Sequence, residues 1–350
     1  MSCCRALPIS SCVLSQSALE PLDWPALLQL AHHHGVVPLL CRALGASPVP
    51  PNILVQLRSD SQRTAYANLA RVRELLRIVE SMKTAGIELI PYKGPSLACA
   101  VYGDIALRDF TDLDFLVGSA DIENARQLLQ DLGYRPEFSF TPGRERKYIQ
   151  SSCEFNFSHP QLGVAVELHW RILPRQFSLD FDLDGMWRRS LTLTLASSPV
   201  RALSPEDLLL VLSAHAAKHR WSRLLWVADI AHLLAASPQL KQEFCLSEAS
   251  RIGERRILSI SLLLAHSLLD AELPPLLVAA AARDGHANRI AAMLAEKMLS
   301  TPEQELPRLA SHALLLRSRE RAGDQVRYAL RTLHASLNAR LFSQPQLLNL

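Results

Sequence analysis

With 350 residues the chain is long enough to bury a sizeable core and to form about two domains at roughly 150 residues each. Apolar residues make up 49% and charged residues 20%, which excludes a disordered or fibrous chain. The 37 basic and 34 acidic residues leave a net charge of +3, too small an excess for a protein built to coat nucleic acid, so any polyanion site must be local.

Seven cysteines (Cys3, Cys4, Cys12, Cys41, Cys99, Cys153 and Cys245) are scattered and form no CxxC pair. That pattern offers neither a zinc ribbon nor a thioredoxin-type redox site and suits a reducing compartment. The first residues carry one cation, Arg5, and are broken by Pro8 and serines, a poor signal peptide. The most apolar window, Ile257 to Leu269, is too short to span a bilayer. The expectation is a cytoplasmic protein with no membrane partner. Cys99 and Cys153 are expected to be buried small hydrophobes.

In chain order, Leu27, Leu28, Leu30, Ala31, Leu39 and Leu40 predict two short helices hinged near Gly35. The run His32-His33-His34 ends the first, where imidazoles suit the negative end of the helix dipole. Pro48, Pro50 and Pro51 break the pattern. A long helix follows from about Ile53 to Thr84, its apolar stripe formed by Leu69, Val72, Leu76, Val79 and Met82, with Gly86 as terminator. The period then changes. Ile87 to Tyr92 reads as a buried strand, Lys93-Gly94-Pro95 as the turn out of it, and Ser96 to Tyr102 as a short helix with Pro95 in its first turn. Leu113 to Val117 is a second strand, Asp121 to Leu132 an amphipathic helix ending at Gly133. Phe155 to Ser158 and Val164 to Ile172 read as a hairpin. Beyond Pro205 the chain reads as wholly helical, with Leu208 to Lys218, Leu224 to Ala235 and Ile257 to Leu269 the clearest segments. The fold class is α/β: N-terminal helices (1–85), a small mixed sheet (86–203) and a C-terminal helical bundle (204–350).

The chemistry concentrates between residues 91 and 117. Alternation places Asp112 and Asp114 on one face of a strand, with Leu113 and Phe115 on the other. Two adjacent carboxylates repel unless a cation lies between them, and Mg²⁺ is held by one or two carboxylates together with substrate phosphates. Gly94 stands between a strand and a helix, where backbone N–H groups cradle phosphate. In Val164-Ala-Val-Glu-Leu-His-Trp170 the same alternation puts Glu167 and His169 opposite Val166, Leu168 and Trp170. If that strand neighbours the Asp112 strand, three acids converge and can hold two metal ions for an in-line phosphoryl displacement.

Strand, glycine turn, helix, Asp-x-Asp and a later strand acid resemble the polymerase-beta-like nucleotidyltransferase superfamily. The finer resemblance is to a bacterial group of uncharacterised nucleotidyltransferases. Lys93, Gly94, Leu97, Tyr102, Gly103, Asp104, Arg108, Asp112, Asp114, Glu167, His169 and Trp170 carry it. Asp23-Trp24, Ala31, His34-Gly35-Val36 and Pro38-Leu39-Leu40 extend it upstream, and His215, Lys218, His219, Trp221, Trp226 and Asp229 downstream. The resemblance covers roughly residues 20 to 235. The chain departs from the superfamily at Pro95, where a second Gly or a Ser usually stands. Proline removes one N–H from the cradle, and Ser96 is the residue that can supply a hydroxyl instead.

The resemblance implies transfer of a nucleotidyl group from an NTP to an acceptor with release of pyrophosphate. Asp112, Asp114 and Glu167 would be catalytic and would hold two Mg²⁺ ions, or Mn²⁺. Lys93, Gly94, Ser96 and Arg108 would bind the nucleotide, Arg108 through the triphosphate or through the acids themselves. His169, His215 and His219 are candidate substrate contacts, with packing as the alternative for each. His215 and His219 stand at i and i+4, but no glutamate follows His215, so the zinc-protease helix is excluded. The competing reading is an inactive nucleotidyltransferase-like module that binds nucleotide or a partner protein; Pro95 favours it. The acceptor (small molecule, sugar, peptide, protein side chain or RNA end) is not legible.

Overall fold

The computed structural model describes residues 22–299 and 307–342. The N-terminal segment read above as a poor signal peptide, with Cys3, Cys4 and Cys12, lies outside them.

Two short helices, α1 (Trp24–His34) and α2 (Val37–Leu44), meet at Gly35, whose φ of +70° turns the chain as expected. Asp23 caps α1 by accepting from the Ala26 N–H at 3.0 Å. Helix α3 (Pro51–Thr84) is followed by β1 (Leu89–Pro91), α4 (Gly94–Leu97) with a π-helical turn over Ala98–Tyr102, and β2 (Asp112–Val117). Then come α5 (Ile122–Asp131), β3 (Arg135–Pro136), α6 (Pro142–Ser151), β4 (Glu154–Ser158), β5 (Ala165–His169) and α7 (Leu183–Arg189). A hairpin, β6 (Leu191–Leu195) and β7 (Ser198–Ala202), precedes an all-helical remainder. Its helices are α8 (Pro205–Lys218), α9 (Leu224–Ala236), α10 (Gln242–Ile252), α11 (Arg255–Leu269), α12 (Pro275–Arg283), α13 (Gly285–Leu299), α14 (Arg308–Arg317) and α15 (Ala322–Phe342). No helix among the described residues is long and apolar enough to cross a membrane.

The fold is mixed α/β. The sheet order is β1-β2-β5-β4-β3, with β2 and β5 parallel and the other neighbours antiparallel. The predicted strands are present with shifted ends: Ile87 and Tyr92 fall outside β1, Val164, Trp170 and Ile172 outside β5, and β2 takes in Asp112. Strand β4 starts one residue earlier than expected, at Glu154. The β6–β7 hairpin and α6 go beyond the sequence expectation; in 142–151 the charged residues outnumber the apolar ones, so no stripe marks the helix.

Each sheet face meets a different apolar core. Leu113, Phe115 and Val117 of β2 pack with Val72, Leu75, Ile78 and Met82 of α3 and with Ala125 and Leu129 of α5. Ile90 and Leu116 face the other way, into a core shared by α1, α2, the first turns of α3 and the C-terminal helices. Helix α3 therefore serves both cores. Its buried stripe is rotated from the expected one: Leu75 and Ile78 are buried, Leu76 and Val79 only partly, and Leu69 is 55% exposed. Beside Leu69, Asn68 is fully buried and donates to the carbonyls of Ile105 (2.7 Å) and Arg108 (2.9 Å). An apolar residue there would leave both carbonyls unpaired. Cys153 is buried as expected, whereas Cys99 is only half-buried.

Two histidines away from the acids are held neutral. His34 accepts the Leu224 N–H on Nδ1 and so carries its proton on Nε2, which donates to the Met298 carbonyl at 3.1 Å. His232 stacks on Tyr102, ring centroids 4.3 Å apart. Burial pushes both down from 6.5 to about 4. Below pH 6.5 the unfolded chain takes up protons that the folded chain refuses until about pH 4. Stability is therefore complete above that window and falls with acidification through it, by at most about 1.4 kcal/mol per pH unit for each histidine. Urea midpoints from pH 7 to 4.5 test this. His232→Gln is expected to flatten the slope, and an unchanged slope would reject the assignment.

Candidate active site

The site forms at the open end of the second sheet face, where the helical core stops covering it. In the register, Asp114 is opposite Glu167 and Asp112 opposite Ala165 on the parallel β2–β5 pair, and Glu154 is opposite His169 on the antiparallel β4–β5 pair. Opposed residues share a face, so Asp112, Asp114, Glu154, Glu167 and His169 lie together. All but His169 line one cleft of about 650 Å³. His169 lies beneath them: Nε2 is 3.1 Å from Glu167 Oε2 and 3.3 Å from Asp114 Oδ1, and Nδ1 is 3.2 Å from Glu154 Oε2. Lys93 forms an ion pair with the same Asp114 oxygen.

Electrostatics separates the two aspartates. Burial penalises charge on Asp114, but Lys93 and His169 outweigh it and hold the carboxyl well below the usual range. Burial raises Asp112 to about 6, with repulsion from Asp114 adding to it. Burial also opposes charge on His169, but Asp114, Cys153, Glu167 and Glu154 outweigh it and keep the imidazole cationic. Both its nitrogens lie against carboxylates, which suits the doubly protonated ring.

The donor set fits a hard divalent cation. Asp114 and Glu167 stand opposite each other on neighbouring strands with Asp112 on the same face, and Lys93 and the protonated His169 supply the positive charge that these carboxylates require. Carboxylate oxygens are what Mg²⁺ selects.

The remaining sequence candidates divide. Gly94 lines the cleft with φ +52°, and a Cβ there would stand 3.1 Å from the Asp112 carbonyl, so glycine is required both by conformation and by close approach. Ser96 is buried, its hydroxyl has no partner among the described residues, and it is not on the cleft wall. Arg108 lines the cleft, but among the described residues it pairs with neither Asp112 nor Asp114. Its guanidinium makes a bidentate pair with Asp229, Nε–Oδ1 2.7 Å and Nη2–Oδ2 2.8 Å, and the Tyr102 hydroxyl donates to the same carboxylate at 2.7 Å. The pair ties the loop before β2 to α9. His215 and His219 do reach the cleft, beside Trp226. Burial drives His215 well below 6.5 and His219 down to about 3, so both are neutral near pH 7. Glu154 is absent from the sequence expectation because it stands one residue outside the expected strand; the alternation Glu154-Phe-Asn156-Phe would have placed it on the polar face.

Residues 20–270 match the model of a family described as uncharacterised nucleotidyltransferases. The chain belongs to this family. It is similar to several solved structures, at low identity. These include the antibiotic-resistance factor ANT(2'')-Ia (13% identical, 53% of this chain and 91% of that one, TM-score 0.37). The lincosamide antibiotic adenylyltransferase LnuA with lincomycin bound is another (16%, 46% and 94%, TM-score 0.32). A third is an antigenic nucleotidyltransferase-like protein from Paracoccidioides brasiliensis (17%, 60% and 91%, TM-score 0.35). None of the curated proteins matches.

Proposed function

We propose that the protein transfers a nucleotidyl group from an NTP to an acceptor nucleophile, releasing pyrophosphate, with Asp112, Asp114 and Glu167 holding Mg²⁺. The observation that carries this reading is the register of Asp114 against Glu167 on parallel strands, with Asp112 on the same face beside the Gly94 turn. When bound, the metal would lower the pKa of the attacking hydroxyl and offset charge on the phosphates. Gly94 admits the substrate phosphates close to the backbone. Lys93 keeps Asp114 ionised and ready as a ligand. Glu167, its side chain 27% exposed, is more open than Asp114 at 1%; it receives the acceptor and takes up the proton at Oε. His169 orients Glu167 through the 3.1 Å contact from Nε2. Arg108 acts indirectly, by holding the 103–111 loop on Asp229.

Asp112→Asn tests the reading. The variant is expected to fold normally and to lose Mg²⁺-dependent pyrophosphate release by about a thousandfold or more, since a carboxylate bound directly to the metal carries much of the charge stabilisation. Turnover at the native rate would remove Asp112 from the machinery. A second reading, nucleotide binding without transfer, draws on Pro95 and on the cations already seated between the acids. It predicts calorimetric binding of ATP with Mg²⁺ and no pyrophosphate from any of the four NTPs.

A further inference from the structure

The cleft is lined on its helical-bundle side by basic residues: Lys218, Arg220, Arg223 and Lys297. The cations nearer the acids are already engaged, Lys93 with Asp114 and Arg108 with Asp229. The turn after β1 is also short of donors. Pro95 has no N–H, and Ser96 does not reach the cleft. A polyphosphate seated beside Asp112 and Asp114 therefore needs counter-charge from elsewhere.

Three of the bundle-side cations fall within residues 218–223, where α8 ends and α9 begins. The backbone there is strained. Arg220 (φ 59°) and Trp221 (φ 49°) are consecutive non-glycine residues in the left-handed region, a costly conformation that persists only where its surroundings impose it. Those surroundings are visible. The N–H groups of Arg220 and Trp221 close α8 on the carbonyls of Ala217 (2.8 Å) and Ala216 (2.7 Å). The buried Trp221 indole donates to Ser261 Oγ at 2.9 Å, and the Leu224 N–H is held by His34. Trp221 acts as an anchor that leaves Arg220, Ser222 and Arg223 on the cleft wall.

The cations also form a path. Lys218 is 3.9 Å from Glu154, which touches His169 under the acids, so the row begins at the edge of the carboxylates. Arg223 lies over the Trp226 ring, 5.8 Å from its centroid, and neither Arg220 nor Arg223 is in an ion pair among the described residues. A linear anion anchored at the acids would follow this row, and a compact monoanion would not need it.

We propose that the Lys218–Arg223 turn is the polyphosphate clamp, holding the β- and γ-phosphates that the Gly94-Pro95-Ser96 turn supports incompletely. The inference rests on the nucleotidyl-transfer reading for the placement of the nucleotide at the acids. The turn's affinity for polyphosphate does not depend on chemistry occurring there.

Calorimetry on the full chain separates the two. Arg220→Gln/Arg223→Gln is expected to weaken ATP and inorganic tripolyphosphate alike, by about tenfold per arginine, the usual size of one charge-assisted hydrogen bond to phosphate. Adenosine binding should be unchanged, and Arg223→Lys should recover part of the loss. Wild-type affinity for tripolyphosphate in the double variant would overturn the clamp, as would an equal loss for adenosine, which would make the turn a base or acceptor site. Asp112→Asn is expected to bind tripolyphosphate without metal more tightly than the native chain, since one carboxylate facing the anion is gone. If that holds while Asp112→Asn also turns over normally, the clamp stands and the transfer reading falls.

Discussion

Asp114→Ala is expected to lose pyrophosphate release and also about 3–5 kcal/mol of stability, the cost of stranding buried charge. Its side chain is 1% exposed and accepts from Lys93 and His169, themselves buried at 10% and 2% side-chain exposure. Removing the carboxylate leaves two cations facing each other in a space that water barely enters. Asp114→Asn should sit between, because the amide oxygen still accepts a hydrogen bond while the charge is gone. Asp112→Asn differs in kind: its carboxyl is already pushed up to about 6 by burial and by Asp114, so removing its charge relieves repulsion and should leave the urea midpoint unchanged or raised. The comparison is therefore a pair of urea titrations beside a pair of activity assays. Native stability in Asp114→Ala would show that Glu154 and Glu167 can neutralise both cations without it, and would demote Asp114 from the hub of the network to one of several equivalent acids.

Much of this arrangement is legible in the sequence, and the reason is periodicity. Alternation in 112–117 and 164–170 assigns each acid to a face, and a parallel or antiparallel neighbour relation is enough to bring them together. Helix spans such as Pro51–Thr84 and Leu224–Ala236 follow from apolar spacing and from terminators like Gly86. What fails are partnerships between distant residues. Arg108 reads as a partner of the triphosphate or of the acids because it lies four residues before Asp112; nothing local announces Asp229, 121 residues on, as its partner. Asn68 reads as an ordinary polar residue beside Leu69, yet it is fully buried and makes two bonds to the backbone of the 105–108 loop. Ser96 illustrates the converse. Its position beside Gly94 suggests a phosphate contact, but it is buried off the cleft wall.

The Arg108–Asp229 pair shows how such a hidden partnership shapes the site. The loop leading into β2 has no regular structure of its own between Gly103 and Thr111, so its course is set by tethers: Asn68 on one side, and Arg108 on Asp229 with Tyr102 on the other. Asp229→Ala should strand the Arg108 guanidinium, 6% exposed, and remove the acceptor of the Tyr102 hydroxyl, costing about 3–5 kcal/mol. It should also reduce turnover, because Asp112 follows directly from the loosened loop. Arg108→Met/Asp229→Leu replaces the pair by apolar volume and leaves the Asn68 tether intact, so it should recover the stability lost by stranding Arg108, though not the share of the Tyr102 hydroxyl, which loses its Asp229 acceptor here too. Turnover in the double variant then decides between two roles. Recovery along with stability makes the pair a replaceable strut. Stability without turnover means that the charge pair itself aims the loop at the acids, since Asn68 and packing alone would then be insufficient to place Asp112. Equal urea midpoints for Asp229→Ala and the native chain would contradict both, and would mean that Arg108 has found another acceptor in the cleft.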